Sequence, residues 1–228
     1  HRLLPRHKLR RGRRRRPGGS PASFIKQRRA ITERPAEVED REVPGHWEAD
    51  CMLFSKPGPA ILVAHERHSR FTIALAQPNL KADPVAQSLV KMLKPFAPNL
   101  RQSVTFDNGT EFYRHQQIST LLNIQTFFCD PHAPWQKGSV ENAIGRLRRA
   151  LPRKTDIANL PKARFNAIIA NYNNTPRKCL GFQTPAEAFI QPLHFECEST
   201  GVSLFRALAY SQRGPVSSTG RRKCLNFN

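Results

Sequence analysis

The chain has 228 residues, of which 39% are hydrophobic, so it can bury one substantial core with extensions but hardly two full domains. Its 37 Lys and Arg against 17 Asp and Glu give a formal net charge of +20, which favours a polyanionic partner, with nucleic acid first. Five widely spaced cysteines without a CxxC pair indicate neither a disulfide framework nor a Cys-rich zinc site. No apolar run approaches the roughly 18 residues that span a bilayer, so we expect a soluble, cytoplasmic protein.

A strongly basic segment begins the chain. Residues 1–30 contain 12 Lys and Arg residues, and no acidic residue precedes Glu33. The densest run is Arg13, Arg14, Arg15 and Arg16. Such a composition favours an arm that is unfolded when alone. We interpret residues 1–40 as a DNA-contacting arm or linker that follows phosphates; the alternative is a solvated charge run or a targeting-like segment.

Strand-like and helix-like segments alternate from residue 43 onward. Short apolar runs bounded by turn residues predict strands, and apolar residues at helical spacing predict helices. In chain order the sequence predicts a strand within 43–54, a hairpin of two strands within 60–79, a helix over 84–97 capped by Asp83, a strand ending at Asp107, a helix near 112–122 and a strand ending at Asp130. We therefore expect an α/β fold with five strands.

Two further helices are predicted after the last strand. Ser139 is a good N-cap for the first of them. Its core stripe is formed by Val140, Ile144, Leu147 and Leu151, whereas another face carries Glu141, Gly145 and Arg148. The second begins at Pro161 and shows a packing face of Phe165, Ile168, Ile169 and Tyr172.

Three acidic residues lie in differently built segments: Asp50 ends GHWEAD, Asp107 interrupts TFDNGTEF, and Glu141 opens a helix. Carboxylates that converge repel one another unless cations lie between them. Such a trio can hold two Mg²⁺ ions about 3.5–4 Å apart, which activate a water or a 3′-hydroxyl and stabilise the leaving oxygen of a phosphodiester. The pattern predicts a metal-dependent phosphoryl-transfer site. If the register differs, Glu48 or Glu111 is a ligand instead.

Five segments together resemble the transposases of the insertion sequence 30 family, within the DDE integrase-core superfamily. Besides the basic arm, they are GHWEAD (45–50), TFDNGTEF (105–112), DPHAPWQKGSVEN (130–142), RLRRALPRKTDI (146–157) and NNTPRKCLGFQTPAEAF (173–189). The resemblance covers roughly residues 8–198. The part within 41–198 corresponds to an integrase-type catalytic core, and residues 199–228 form a basic tail to which we assign no role.

The resemblance implies an RNase H-like fold, with a mixed five-stranded sheet flanked by helices. It implies an enzyme that cleaves and transfers DNA strands at insertion-element ends, with Asp50, Asp107 and Glu141 as catalytic and metal-binding residues. The implied cofactors are two Mg²⁺ ions, for which Mn²⁺ can substitute, and no nucleotide cofactor is needed. The implied partners are the element's terminal repeats, target DNA and further copies of the chain during reaction, in a bacterial, nucleoid-associated location without a membrane.

Basic and polar residues surround the acidic helix. The basic ones, which we interpret as phosphate contacts, are Lys137, Arg146, Arg148, Arg149, Arg153 and Lys154. Two more expected DNA contacts, His132 and Gln136, lie in the preceding loop beside Trp135. The alternative for the basic residues is a solvated surface, and plain loop packing is an equally good interpretation of Trp135.

Other conspicuous residues have structural interpretations. A zinc site at His65 and His68 is disfavoured, because no second Cys or His pair lies at finger spacing. Asp130 is interpreted as a turn cap. Asn173, Asn174 and Arg177 are expected to brace a loop.

Two departures from the family pattern leave other functions open. The helix-turn-helix regions that precede the arm in the family are absent from this sequence, and its first residue is His rather than Met, so we expect a fragment. Ile144 stands where the family often has Asn. The alternative functions are a catalytically silent DNA-binding remnant and an RNase H-like nuclease without transposition.

Overall fold

The computed structural model describes residues 25–131 and 133–191. The predicted α/β fold is confirmed. The five strands are β1 (His46–Leu53), β2 (Ala60–Glu66), β3 (Thr72–Gln77), β4 (Ser103–Phe106) and β5 (Gln125–Phe128). The helices are α1 (Glu37–Asp40), α2 (Ala82–Leu93), α3 (His115–Leu122), α4 (Gly138–Leu147) and α5 (Lys162–Asn173), and residues 185–191 are also helical.

The strands form one mixed sheet in the order β3-β2-β1-β4-β5. The pairs β1–β2 and β2–β3 are antiparallel, whereas β4 is parallel to both β1 and β5. In the β1–β4 register Glu48 lies beside Thr105. Asp50 lies two residues after Glu48, within β1, and Asp107 lies two residues after Thr105, just beyond the end of β4. The parallel pairing therefore delivers both carboxylates to the same end of the sheet.

Side chains of β1 alternate between two cores on opposite faces of the sheet, as a strand's period of two requires. Trp47, Ala49 and Cys51 join the core that α2 and α3 cover. Met52 joins the core that α4 and α5 cover. Asp50 shares the parity of Met52, so its side chain belongs to the face on which α4 lies.

Residues 25–40, which the sequence assigned to the basic arm, pack against the core. Ile25, Ile31 and Val38 are buried. The Phe128 N–H of β5 donates to the Arg29 carbonyl at 2.9 Å. The folded body therefore begins before residue 41. Two predicted segments, the run of arginines at 13–16 and the tail at 199–228, lie outside the described residues.

The predicted helix boundaries need two corrections. α2 begins at Ala82 with Lys81 as its N-cap, so Asp83 lies in the first turn instead of capping the helix. Pro84 is tolerated there because the first-turn N–H groups have no intrahelical partner. Helix α4 begins at Gly138 with Lys137 as its N-cap, so Ser139 is not the cap.

Both predicted apolar helix faces are confirmed. Val140, Leu147 and Leu151 are buried on α4 and just beyond it, with Ile144 packed beside them, and Phe165 and Tyr172 of α5 join the same core. Among the described helices, none combines the length and apolar character that crossing a membrane requires.

Candidate active site

Asp50 and Asp107 converge on the amino group of Lys137. The Lys137 Nζ lies 2.9 Å from Asp107 Oδ2 and 3.1 Å from Asp50 Oδ2. The other oxygen of each carboxylate accepts a backbone N–H, from Cys51 at 2.7 Å for Asp50 and from Gly109 at 3.0 Å for Asp107. Each carboxylate is thus fixed by one oxygen and offers the second to a shared cation.

The electrostatics of this triad favour a charged lysine. Burial acts to lower the pKa of Lys137, but the charges of Asp50 and Asp107 outweigh it and raise the pKa overall. Burial raises the pKa of Asp50, and the neighbouring Lys137 opposes that rise. The Lys137 ammonium between the two carboxylates offsets the repulsion between them.

Glu141 lies near this triad in sequence but does not join it. It is exposed in the first turn of α4, four residues after Lys137. In the described part of the chain, no three His, Cys, Asp or Glu side chains are grouped closely enough to hold a metal ion. The structure therefore brings together two of the three predicted catalytic carboxylates.

Glu48 anchors the helix that carries Glu141. Its carboxylate is fully buried and accepts the Val140 N–H through Oε2 at 2.9 Å, while Oε1 pairs with the Arg67 guanidinium. A carboxylate at the N-terminus of α4 satisfies a free N–H group and complements the helix dipole. This long-range contact does what Ser139 was expected to do, and the buried Ser139 hydroxyl has no hydrogen-bond partner among the described residues. Glu48 therefore has a structural role, which is to anchor the N-terminus of α4.

A chain of charges extends from this anchor through two buried arginines and the exposed Glu39. Arg67 pairs with Glu39 at 3.6 Å as well as with Glu48, and its Nε donates to the Val38 carbonyl at 3.1 Å. Arg34 pairs with Glu39 in turn. The segment before β1 is thereby tied to the N-terminus of α4. Sequence reasoning missed these arginines, and the only signal for Glu48 was its strand parity with Asp50.

Glu111, the other alternative ligand, lies close to the carboxylate pair. It is half-buried in the 3₁₀ turn Thr110–Phe112. Burial raises its pKa, and the negative charges of Asp107 and Asp50 raise it further. Glu111 thus belongs to the same electrostatic environment as the triad, and its part in cation binding stays an open alternative.

The predicted DNA contacts divide into free and engaged side chains. Arg149, Arg153 and Lys154 are exposed and have no ion-pair partner among the described residues. Arg146 is also exposed and contacts only Asn142, at 3.4 Å. Arg148 instead bonds to the Leu53 carbonyl and stacks over the Phe54 ring at 4.8 Å.

The remaining predicted contacts lie in the loop before α4. The Gln136 side chain makes two hydrogen bonds with Asp130, one to its carboxylate at 2.9 Å and one from its N–H at 2.7 Å. Gln136 and Asp130 therefore brace the loop, in which Trp135 is 76% exposed. His132 lies outside the described residues, and DNA contact by any of these residues stays a prediction.

Three of the residues interpreted as structural, His65, His68 and Asn173, make contacts within the fold. His65 is buried with a pKa lowered to about 3 by burial and nearby arginines, and it contacts the Thr72 hydroxyl at 2.8 Å. His68 contacts the Arg41 carbonyl instead. The Asn173 amide pairs with both backbone groups of Thr72, at 2.8 and 2.9 Å.

Comparison with known proteins identifies related transposases. The family model described as "Integrase core domain" matches residues 40–134. The transposase for insertion sequence element IS1086 of Cupriavidus metallidurans is 37% identical over 164 residues, which is 72% of this chain and 48% of that protein. The transposase InsI for element IS30C of Escherichia coli is 35% identical over 182 residues, 79% of this chain and 47% of that protein. Over most of its length the chain is a relative of the insertion sequence 30 transposases.

A third transposase gives a similar match. The transposase for element IS4351 of Bacteroides fragilis is 35% identical over 74% of this chain and 51% of its own length. The chain thus spans about half the length of the curated relatives it matches.

The catalytic core domain of BIV integrase matches with a TM-score of 0.52 and 23% identity, over 67% of this chain and 97% of that one. A chain of the simian T-cell lymphotropic virus intasome matches with a TM-score of 0.53 and 19% identity, over 64% of this chain and 55% of that one. These likenesses confirm the integrase-type, RNase H-like fold.

The donor set at the sheet end fits the divalent cation that the family implies. Carboxylate oxygens are the ligands that Mg²⁺ and Mn²⁺ prefer. Asp50 and Asp107 each present one such oxygen to a single point, where the Lys137 ammonium stands in for a cation. The residues present therefore suit a cation held between β1 and the end of β4.

Proposed function

We propose that this chain is the catalytic portion of a DNA transposase, which cleaves the ends of an insertion element and joins them to target DNA. The observation that carries the proposal is the convergence of Asp50 and Asp107 on one cation position, within a fold and family of integrase type. Asp50, Asp107 and Glu141 are the proposed catalytic and metal-binding residues. Glu141, whose side chain is exposed in the first turn of α4, is the proposed third ligand.

Mg²⁺ is the proposed cofactor, as a pair of ions with Mn²⁺ as substitute, and it would supply activation of the attacking hydroxyl and stabilisation of the leaving oxygen. The protein's own part is to hold the three carboxylates and to orient the DNA strand. No Ser or Tyr nucleophile and no ATP are required, because a water or a DNA 3′-hydroxyl makes the in-line attack.

The proposed DNA path follows the basic residues around α4. Arg146, Arg149, Arg153 and Lys154 are exposed, and their charges have no carboxylate partner within the described residues. Such side chains suit phosphate oxygens, which fix position without reading sequence. The arginines at 13–16 and the loop residues His132 and Gln136 complete the proposed set. We further propose that the protein acts on bacterial DNA at the nucleoid, and that several copies assemble on two element ends.

The test compares wild-type protein with Asp107→Asn on labelled element-end DNA and a plasmid target, with Mg²⁺ or Mn²⁺. Asp40→Asn is the matched control, because Asp40 is exposed and has no hydrogen-bond or ion-pair partner among the described residues. We expect nicked and joined products from the wild type and the control, and loss of both from Asp107→Asn with DNA binding retained. Equal products from all three proteins would overturn the proposed site. Nicking without joining would indicate a nuclease, and DNA binding without products in any protein would indicate a silent remnant.

A further inference from the structure

Lys137 occupies the position for which a divalent cation would compete. Its ammonium group contacts the two carboxylate oxygens that the backbone leaves free, at 2.9 Å on Asp107 and 3.1 Å on Asp50. The lysine side chain is 5% exposed, so its charge is held mainly by these two contacts. A cation that binds both oxygens must therefore take them from the lysine.

Unlike a fully buried structural ion pair, this triad is partly open to solvent. Asp107 remains 44% exposed and Asp50 21% exposed, so solvent ions can reach the carboxylates that the ammonium neutralises. Lys137 belongs to the short 3₁₀ turn Pro134–Lys137, and its four-carbon stem is flexible. Rotation about that stem would move the ammonium away from the carboxylates without any change in the sheet.

We propose that Lys137 is an internal competitor of the catalytic cation, which neutralises Asp50 and Asp107 while the metal is absent and withdraws when the metal binds. The inference rests on the proposed function, because it places the metal at these two carboxylates. Withdrawal frees a positive charge four residues before Glu141, where a DNA phosphate can receive it. DNA and metal then favour the same position of Lys137, so each raises the affinity for the other.

The test is calorimetric titration of the full chain with Mg²⁺, and separately with Mn²⁺, without DNA. Lys137→Met and Lys137→Gln remove the competing charge, and we expect each to tighten metal binding on the order of tenfold. Lys137→Arg keeps the charge and should bind metal no more tightly than the wild type. Lys91→Met removes an equal charge from an exposed site on α2 and should leave the affinity unchanged.

A second readout reports the movement itself. Trp135 lies two residues before Lys137 and is 76% exposed, whereas Trp47 is fully buried in the core. We expect Mg²⁺ to change the tryptophan fluorescence of the wild type and to change it much less in Lys137→Met. Trp135→Phe should abolish the signal, which would locate it in this turn.

The outcomes separate this inference from the proposed function. Suppose that Asp107→Asn loses metal binding, but Lys137→Met and Lys137→Gln bind metal no more tightly than the wild type. The proposed competition by Lys137 is then wrong, whereas the proposed metal site stands. If Asp107→Asn binds metal as the wild type does, the proposed metal site is itself wrong. Circular dichroism of every variant identifies any that fails to fold, and either neutral lysine variant suffices for the comparison.

Discussion

Replacement of Glu48 by Gln should destabilise the protein severely. The Glu48 carboxylate is 0% exposed and satisfies two partners, the Arg67 guanidinium and the Val140 N–H at 2.9 Å. Removing one partner of a buried ion pair costs about 3–5 kcal/mol. Arg67 keeps its 3.6 Å contact with Glu39, and glutamine keeps one acceptor oxygen, so we expect the lower end of that range.

The assay is thermal and urea unfolding followed by circular dichroism at pH 7. A loss of about 3 kcal/mol lowers the Tm of a chain of this size by roughly 6–12 °C. Glu42→Gln is the matched control, because Glu42 is exposed and has no ion-pair or hydrogen-bond partner in the described structure; its effect should stay within about 0.5 kcal/mol. The double variant with Met at both Glu48 and Arg67 should lose less than the sum of the two single variants.

A Glu48→Gln variant as stable as Glu42→Gln would refute the anchoring role. Metal titration of the same variants, set beside their unfolding, decides whether Glu48 is a metal ligand. If Glu48 binds metal, its replacement should abolish metal binding with little change in stability without metal. If Glu48 instead anchors α4, its replacement should lower the free energy of unfolding even without metal.

Changes at four further residues have defined expected effects. Asn173→Ala should cost about 2–3 kcal/mol in urea unfolding, because it leaves both backbone groups of Thr72 without the partners they have at 2.8 and 2.9 Å. His65 has a pKa lowered to about 3 from 6.5, so acidification below pH 6.5 protonates the unfolded chain but not the folded one, and stability should fall by about 1.4 kcal/mol per pH unit on this account. His65→Asn should reduce that slope by about one proton between pH 6 and 5. Gly145→Ala should stabilise α4 by up to about 1 kcal/mol, since nothing lies within 4 Å of an added Cβ, whereas Gly45→Ala should destabilise, because Gly45 has φ +92° and its added Cβ would meet the Asn99 carbonyl.

Separate observations check these effects. Asn174→Ala changes the adjacent, exposed amide and should be nearly neutral. A pH slope of stability in His65→Asn equal to that of the wild type would contradict the buried neutral histidine. A Gly145→Ala protein that is more stable yet joins DNA more slowly would support close approach of a strand to α4.

Local sequence patterns predicted the sheet because each strand carries its own signal. The apolar runs of β2 and β5 and the turn at Asn108 and Gly109 are readable without any tertiary information. The same holds for the apolar stripe of α4. Asp50 and Asp107 could be selected for a similar reason, since each lies where an apolar run meets a carboxylate.

Contacts between distant residues could not be predicted. Ser139 has the composition of a cap, but Glu48, 92 positions before Val140 in the chain, supplies the contact. Lys137 was interpreted as a surface cation, because its neighbours in the sequence do not reveal that Asp50 and Asp107, from other elements, enclose it. The segment before β1 was interpreted as an arm because of its positive charge. Its few buried apolar residues, such as Val38, follow neither helical nor strand spacing and gave no sign of a packed segment.

Each outer strand of the sheet has one edge position paired within the described structure. The Asn173 side chain imitates a neighbouring strand at Thr72 of β3, and the backbone of Arg29 and Ala30 pairs with Phe128 of β5. Open edges invite edge-to-edge pairing between molecules and uncontrolled aggregation. Pairing at these two positions leaves less of each edge open to strands of neighbouring molecules, which lowers the tendency of the sheet to polymerise edge to edge.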